Sequence, residues 1–261
     1  VTILEKIALR KRAEIEDASL PDRMAELRAE ALDQPPVRPF REALATSSHP
    51  VALIAEVKKA SPSQGVIREV FVPDEIAQQY RDAGADCLSV LTDRDFFQGD
   101  HSYLSVCRKA SGLPCLRKDF IIHPAQVWES RILGADCILL IAAMLTHDEI
   151  DELHALGREA GMDVLVEVHD EEEAEHVPIE ATLVGINNRS LHTFAEDFDT
   201  TERLIKLLEK PGRLMVSESS IARHDQVLRV QQAGARAVLV GTAFCRAEHP
   251  GAMVKEVMGW D

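Results

Sequence analysis

The chain has 261 residues, 46% of them apolar, and a formal net charge of −15. That is enough apolar material for a large core, in one or two domains or in a single α/β barrel. No apolar run approaches the roughly 20 residues of a membrane-spanning helix, and the acidic balance disfavours nonspecific nucleic-acid binding. A local cationic pocket for a small anionic substrate remains compatible with such an exterior.

The opening segment VTILEKIALRKRAEIE is amphipathic and carries acids, unlike a signal peptide. A soluble, cytoplasmic protein is therefore expected. Residues 1–45 read as one or two helices broken by DQPPVRP. They are an N-terminal helical extension of a single domain spanning 1–261.

Eight apolar, strand-like runs follow, at 51–57, 86–91, 114–118, 136–141, 163–168, 182–187, 213–218 and 236–241. They are nearly continuous in apolar residues, as parallel strands covered on both faces are. Helical patterns lie between and after them, at 74–83, 101–110, 124–133, 147–160, 170–177, 199–209, 223–233 and 245–258. The segments AGADCLSVLT (83–92) and LGADCILLIA (133–142) are near copies. Gly84, Gly134, Gly161 and Gly234 stand where a helix hands over to a strand, the place of a left-handed C′ glycine. Eight such units in about 210 residues is the plan of a (β/α)8 TIM barrel. A doubly wound open sheet is the alternative, weakened because no GxGxxG follows the first strand. The five cysteines show no CxxC pair and read as buried free thiols.

In a barrel of this kind the C-terminal strand ends carry the active site. Charged residues interrupt the apolar runs at those ends. Glu56 and Lys58 are two apart at the end of the first strand, so they share a face. Lys118 ends the third, in PCLRKDFII, with Arg117 pointing the other way, toward helices or solvent. Glu167 ends the fifth, Asn187 the sixth with Arg189 beyond it, Glu218 and Ser219 the seventh, and Gly241 and Thr242 the eighth. A lone charge at a strand end is usually a solvated loop residue; six strands ending this way suggest one pocket. The small and hydroxyl residues of SESSI and VGTAF suit a phosphate cradle at the seventh and eighth strands.

These residues carry a resemblance. LIAEVKKASPSQG (53–65), LSVLTDRDFFQGD (88–100), LRKDFIIHPAQVWESRILGAD (116–136), LVEVHDEEE (165–173), VGINNRSLHTF (184–194) and SESSI (217–221) resemble the indole-3-glycerol phosphate synthase family of tryptophan biosynthesis, in order and spacing, over nearly the whole chain. The resemblance implies a ring closure with decarboxylation and dehydration. The substrate is 1-(2-carboxyphenylamino)-1-deoxyribulose 5-phosphate, and no metal or organic cofactor is implied. It implies Lys118 as general acid, with a lowered pKa if desolvated near other cations. It implies Glu167 as general base, Lys58 orienting substrate and Lys118, and Glu56, Asn187 and Glu218 holding the lysines and substrate hydroxyls. Arg189 suits the anthranilate carboxylate because its planar fork matches one. Ser61 and Ser63 suit carboxylate or phosphate; Ser219, Ser220, Gly241 and Thr242 map onto the phosphate loops. Phe97 and Phe120 are placed to wall the anthranilate ring. The expected partner is a small phosphorylated substrate, with no nucleic acid and no membrane. A monomer is expected, a weak dimer being the alternative.

Two other barrel enzymes fit less well. A Schiff-base aldolase wants a lysine where Asn187 stands, and phosphoribosylanthranilate isomerase lacks the extension. Ser220 replaces the family's usual glycine, and Asp100 a usual serine without an evident role. His123, His169 and His192 read as loop or supporting histidines, and DEEEAEH (170–176) as a solvated helix start.

Overall fold

The computed structural model describes residues 2–190 and 195–261. Eight parallel strands close into a barrel: β1 (Ala52–Val57), β2 (Cys87–Leu91), β3 (Cys115–Lys118), β4 (Cys137–Ile141), β5 (Asp163–Val168), β6 (Leu183–Asn187), β7 (Leu214–Glu218) and β8 (Ala237–Val240). Each strand pairs with its neighbours in sequence, and β8 closes on β1. An open sheet is thereby excluded. A short hairpin, Ala60–Ser61 with Gly65–Val66, stands above β1.

The strands are buried on both faces, which is why they lack polar alternation. Ile54, Leu116, Leu139, Leu165, Val216 and Leu239 belong to the cluster that fills the barrel. Their neighbours Leu53, Val90, Ile138, Val166 and Val238 belong to the cluster under the surrounding helices. The turns between helix and strand reverse through Gly84, Gly134, Gly161 and Gly234, all at positive φ, where a side chain would be strained.

The extension has three helices: α1 (Ile3–Asp17), α2 (Met24–Leu32) and α3 (Phe40–Ala45). One or two were expected, broken by DQPPVRP; the stretch before that break is itself two helices, parted at Pro21–Arg23. Helix α3 closes the barrel floor. Phe40 is fully buried there, and the amides of Arg38 and Arg41 bond the carboxylates of Asp136 and Asp163 at the starts of β4 and β5. Helix α1 crosses the opposite end, beside the C-terminal ends of β2 and β3.

The barrel helices are α4 (Pro73–Asp82), α5 (His101–Ser111), α6 (Pro124–Ile132), α7 (His147–Glu159), α8 (Glu171–Ala174), α9 (Thr200–Leu208), α10 (His224–Ala233), α11 (Thr242–Arg246) and α12 (Pro250–Met258). Two differ from expectation. Helix α8 stops at Ala174: the amides of Glu175, His176 and Val177 turn to the carbonyls three residues back, and Pro178, which has no N–H, ends the run. The helix expected at 245–258 is two, since Pro250 has no N–H to give and starts a helix of its own. Among the described residues, no helix is long and apolar enough to cross a membrane.

Candidate active site

A cavity of about 320 Å³ opens at the C-terminal ends of the strands. Every site residue expected from the sequence lines it: Glu56, Lys58, Ser61, Ser63, Phe97, Lys118, Phe120, Glu167, Asn187, Arg189, Glu218, Ser219, Ser220, Gly241 and Thr242. Leu91, Leu139, Ile141 and Leu239 add an apolar floor.

Strand register sets the polar core of the cavity. Asn187 pairs with Glu218 across β6 and β7, and Glu167 with Gly185 across β5 and β6. Lys118 Nζ donates to Glu167 Oε2 at 2.6 Å and to Glu218 Oε2 at 3.2 Å. Asn187 Nδ2 donates to Glu167 Oε1 at 3.0 Å. Lys58 Nζ meets Glu56 Oε1 at 2.5 Å. The result is two lysines and three carboxylates, all but Lys58 and Lys118 fully buried.

Several polar atoms around this core are buried without a hydrogen-bond partner: Ser61 Oγ, Ser220 Oγ and Glu218 Oε1. Such groups are costly unless something completes them. Ser219 and Ser220 both adopt positive φ, 65° and 62°, a backbone that side chains rarely tolerate. Together these features describe a site left open for a polar ligand.

The chain is similar to known proteins along almost all its length. The profile described as indole-3-glycerol phosphate synthase matches residues 4–257. The indole-3-glycerol phosphate synthase of Polaromonas naphthalenivorans is 48% identical, covering 98% of both chains. Indole-3-glycerol phosphate synthase 2 of Ralstonia nicotianae is 46% identical over 98% of this chain and 96% of its own. This chain belongs to the indole-3-glycerol phosphate synthase family. As such it is a carboxy-lyase that closes the indole ring with loss of carbon dioxide and water. Solved structures such as N-acetylmannosamine-6-phosphate 2-epimerase from Clostridium perfringens share the fold alone. That one is 17% identical with a TM-score of 0.56, covering 78% of this chain and 90% of its own.

Within this cavity, one expectation fails. Lys118 was expected to lose basicity by desolvation. Burial does push its ammonium down, but the charge of Glu167, that of Glu218 once it ionises, and that of Glu56 outweigh burial and hold it above its ordinary value. The cations that would have lowered it are absent from its contacts; carboxylates surround it instead. Glu218 bears the opposite strain. Burial pushes its carboxyl up to about 8, Lys118 opposes that, and the charge of Glu167 adds to it. Glu167 is lowered: burial works against it, and Lys118 with Asn187 outweighs burial.

Other residues acquire clear places. Arg189 lines the cavity but its guanidinium is engaged by Glu196 on the same loop. Asp100 caps α5 by accepting from Ser102 N–H at 2.9 Å. His123 caps α6 through Nδ1, and His169 pairs with Glu173 at 2.6 Å. His192 lies outside the described residues.

Sequence reasoning passed over Gly185 and the other role of Gly241. A β-carbon at Gly185 would overlap Glu218 Oε1, and one at Gly241 would overlap Glu56 Oε1. Each glycine is a slot for a carboxylate from the neighbouring strand. A glycine inside an apolar strand, as in LVGIN, is the signal that pointed to Gly185.

Proposed function

We propose that Lys118 is the general acid and Glu167 the general base of this chain's ring closure. The carrying observation is the contact of Lys118 Nζ with Glu167 and Glu218 at the base of the cavity. The ring carbon bearing the carboxylate attacks the ketone carbon, and the ketone oxygen takes a proton from Lys118. Carbon dioxide leaves and its bonding electrons restore the aromatic ring. Lys118, reprotonated from solvent through the cavity mouth, then gives a second proton to the new hydroxyl, which leaves as water. Glu167 takes a proton from the methylene carbon beside nitrogen.

The high basicity of Lys118 keeps it charged in the free site. It still donates, because an oxygen gaining alkoxide character is far more basic than any carboxylate. Lys58 and Asn187 hold the arrangement, with Glu56 beside Lys58. Phe97 and Phe120 wall the aryl ring. Arg189 exchanges Glu196 for the substrate carboxylate. Ser61 and Ser220 offer their unpartnered hydroxyls to the phosphate, alongside Ser63, Ser219, Gly241 and Thr242. The reading carries a phosphorylated small-molecule substrate and a cytoplasmic location.

The test is turnover of 1-(2-carboxyphenylamino)-1-deoxyribulose 5-phosphate, followed by indole fluorescence. Lys118→Ala and Glu167→Gln each lower kcat by ~100-fold or more, the worth of a positioned acid or base. A near wild-type rate in either variant removes its assigned role.

A further inference from the structure

Lys11 lies midway along α1 and is 2% exposed. A buried lysine needs partners, and this one has three. Its Nζ meets Asp93 Oδ2 at 2.8 Å, Asp119 Oδ1 at 2.9 Å and Glu14 Oε2 at 2.9 Å. Asp93 and Asp119 have fully buried side chains. They stand just beyond the C-terminal ends of β2 and β3. The mechanism above uses none of these groups.

Each aspartate also holds an aromatic residue of the cavity. Asp93 Oδ1 accepts from the backbone N–H of Phe96 at 2.8 Å and of Phe97 at 3.2 Å. Asp119 Oδ1 accepts from the N–H of Phe120 at 2.9 Å. Its Oδ2 accepts from the Thr92 hydroxyl at 2.6 Å. The Phe97 and Phe120 rings lie 6.0 Å apart, tilted by 42°, and both line the cavity. Ile3 and Ile7 of α1 join the same apolar cluster as Phe96, Phe97 and Phe120.

We propose that Lys11 is a positioning residue for the aryl half of the substrate: by neutralising Asp93 and Asp119 it fixes the Phe97–Phe120 wall. This inference rests on the aryl ring lying against those two phenylalanines. Without the ammonium, Asp119 keeps only Arg117, at 3.2 Å, and Asp93 loses the lysine it pairs with, so two buried carboxylates near one another repel or take up a proton. Either response disturbs the carboxylate oxygens that bind the loop amides, and the rings move with their backbone. The phosphate-facing residues come from β1, β7 and β8 and their loops, elsewhere around the barrel. The effect is therefore selective for one end of the substrate.

The experiment compares Lys11→Met with Arg10→Ala, which removes the exposed ion pair between α1 and Asp95 on the same loop. KM, kcat, inhibition by inorganic phosphate and thermal unfolding are measured for both. Lys11→Met raises KM by roughly tenfold, the scale of a lost aromatic contact, while inhibition by inorganic phosphate is unchanged. Arg10→Ala alters neither. If Lys11→Met does not fold, the double variant Lys11→Met/Asp93→Asn removes one carboxylate charge with the ammonium while an amide oxygen still accepts from Phe96 and Phe97; recovery of the fold with KM near the parent value supports the neutralising role, and a raised KM in the folded double variant overturns it. An unchanged KM in Lys11→Met itself overturns the proposal. So does an equal weakening toward substrate and inorganic phosphate, which marks general loosening. Phe97→Ala separates the underlying reading. If it leaves KM unchanged, the aryl placement fails; if it raises KM and loss of Lys11 does not, the role of Lys11 alone fails.

Discussion

Arg117 and Lys118 are adjacent cations on one strand, facing opposite ways into two very different polar clusters. Outside the barrel, Arg117 is saturated. It meets Glu129 at 2.9 Å, Ser130 at 3.0 Å, His101 at 3.1 Å and Asp119 at 3.2 Å. Inside, Lys118 shares a cavity with a carboxylate oxygen and two hydroxyls that have no partner. A completed network holds structure; an incomplete one waits for a ligand. That contrast separates the two charges of PCLRKDFII more sharply than their sequence positions do.

The largest effect that would test the contrast is on folding. Arg117→Ala strips a buried pair of its cation and leaves Asp119 and Glu129 undercompensated. We expect a loss of about 3 kcal/mol or more in denaturant unfolding, the scale of breaking a buried pair. Lys118→Ala should cost less stability while abolishing most turnover: of the two carboxyls it leaves, burial already keeps Glu218 protonated near neutrality, and Glu167 retains the Asn187 donor. A greater stability loss for Lys118→Ala than for Arg117→Ala would break the comparison.

A smaller effect concerns pH. With its carboxyl pushed up to about 8, Glu218 is neutral in the free site at pH 7. As pH climbs past that value it ionises, and Lys118 then faces a second full negative charge. Its proton is held more firmly, so kcat/KM should fall on that limb. Glu218→Gln, neutral at all pH, should lose this limb while keeping any others, and pH profiles of kcat/KM check it. The sign for stability follows from the same shift. A raised carboxyl stabilises the fold below its ordinary value of 4.5, and that contribution is lost as pH rises through about 8.

The staves and the site were legible for one reason: charges stood out inside runs that should have been apolar. Lys118, Glu167 and Glu218 could each be read from their own strand. The sign of the Lys118 shift could not, because it depends on carboxylates 49 and 100 positions away. Lys11 was illegible for a similar reason. On an amphipathic helix a lysine looks solvated, and only the tertiary placement of Asp93 and Asp119 buries it. Gly185 carried a signal, but its meaning depended on a glutamate side chain from the next strand.

Ser220 offers the finest test, since stability and binding there should move in opposite directions. Its φ of 62° suits glycine, and its Oγ is buried without a partner. Both features cost stability in the free protein. Ser220→Gly removes both, although the greater freedom of glycine in the unfolded chain offsets part of the gain. We expect melting to rise by ~2 °C, since about 1 kcal/mol shifts a chain of this size by 2–4 °C. If the hydroxyl completes its hydrogen bonding on the phosphate, the same change weakens inhibition by inorganic phosphate by roughly 2- to 10-fold, the worth of one hydrogen bond. Unchanged or tighter inhibition would leave Ser220 as uncompensated strain and remove its hydroxyl from the group of partnerless atoms that distinguishes the inner cluster from the outer one.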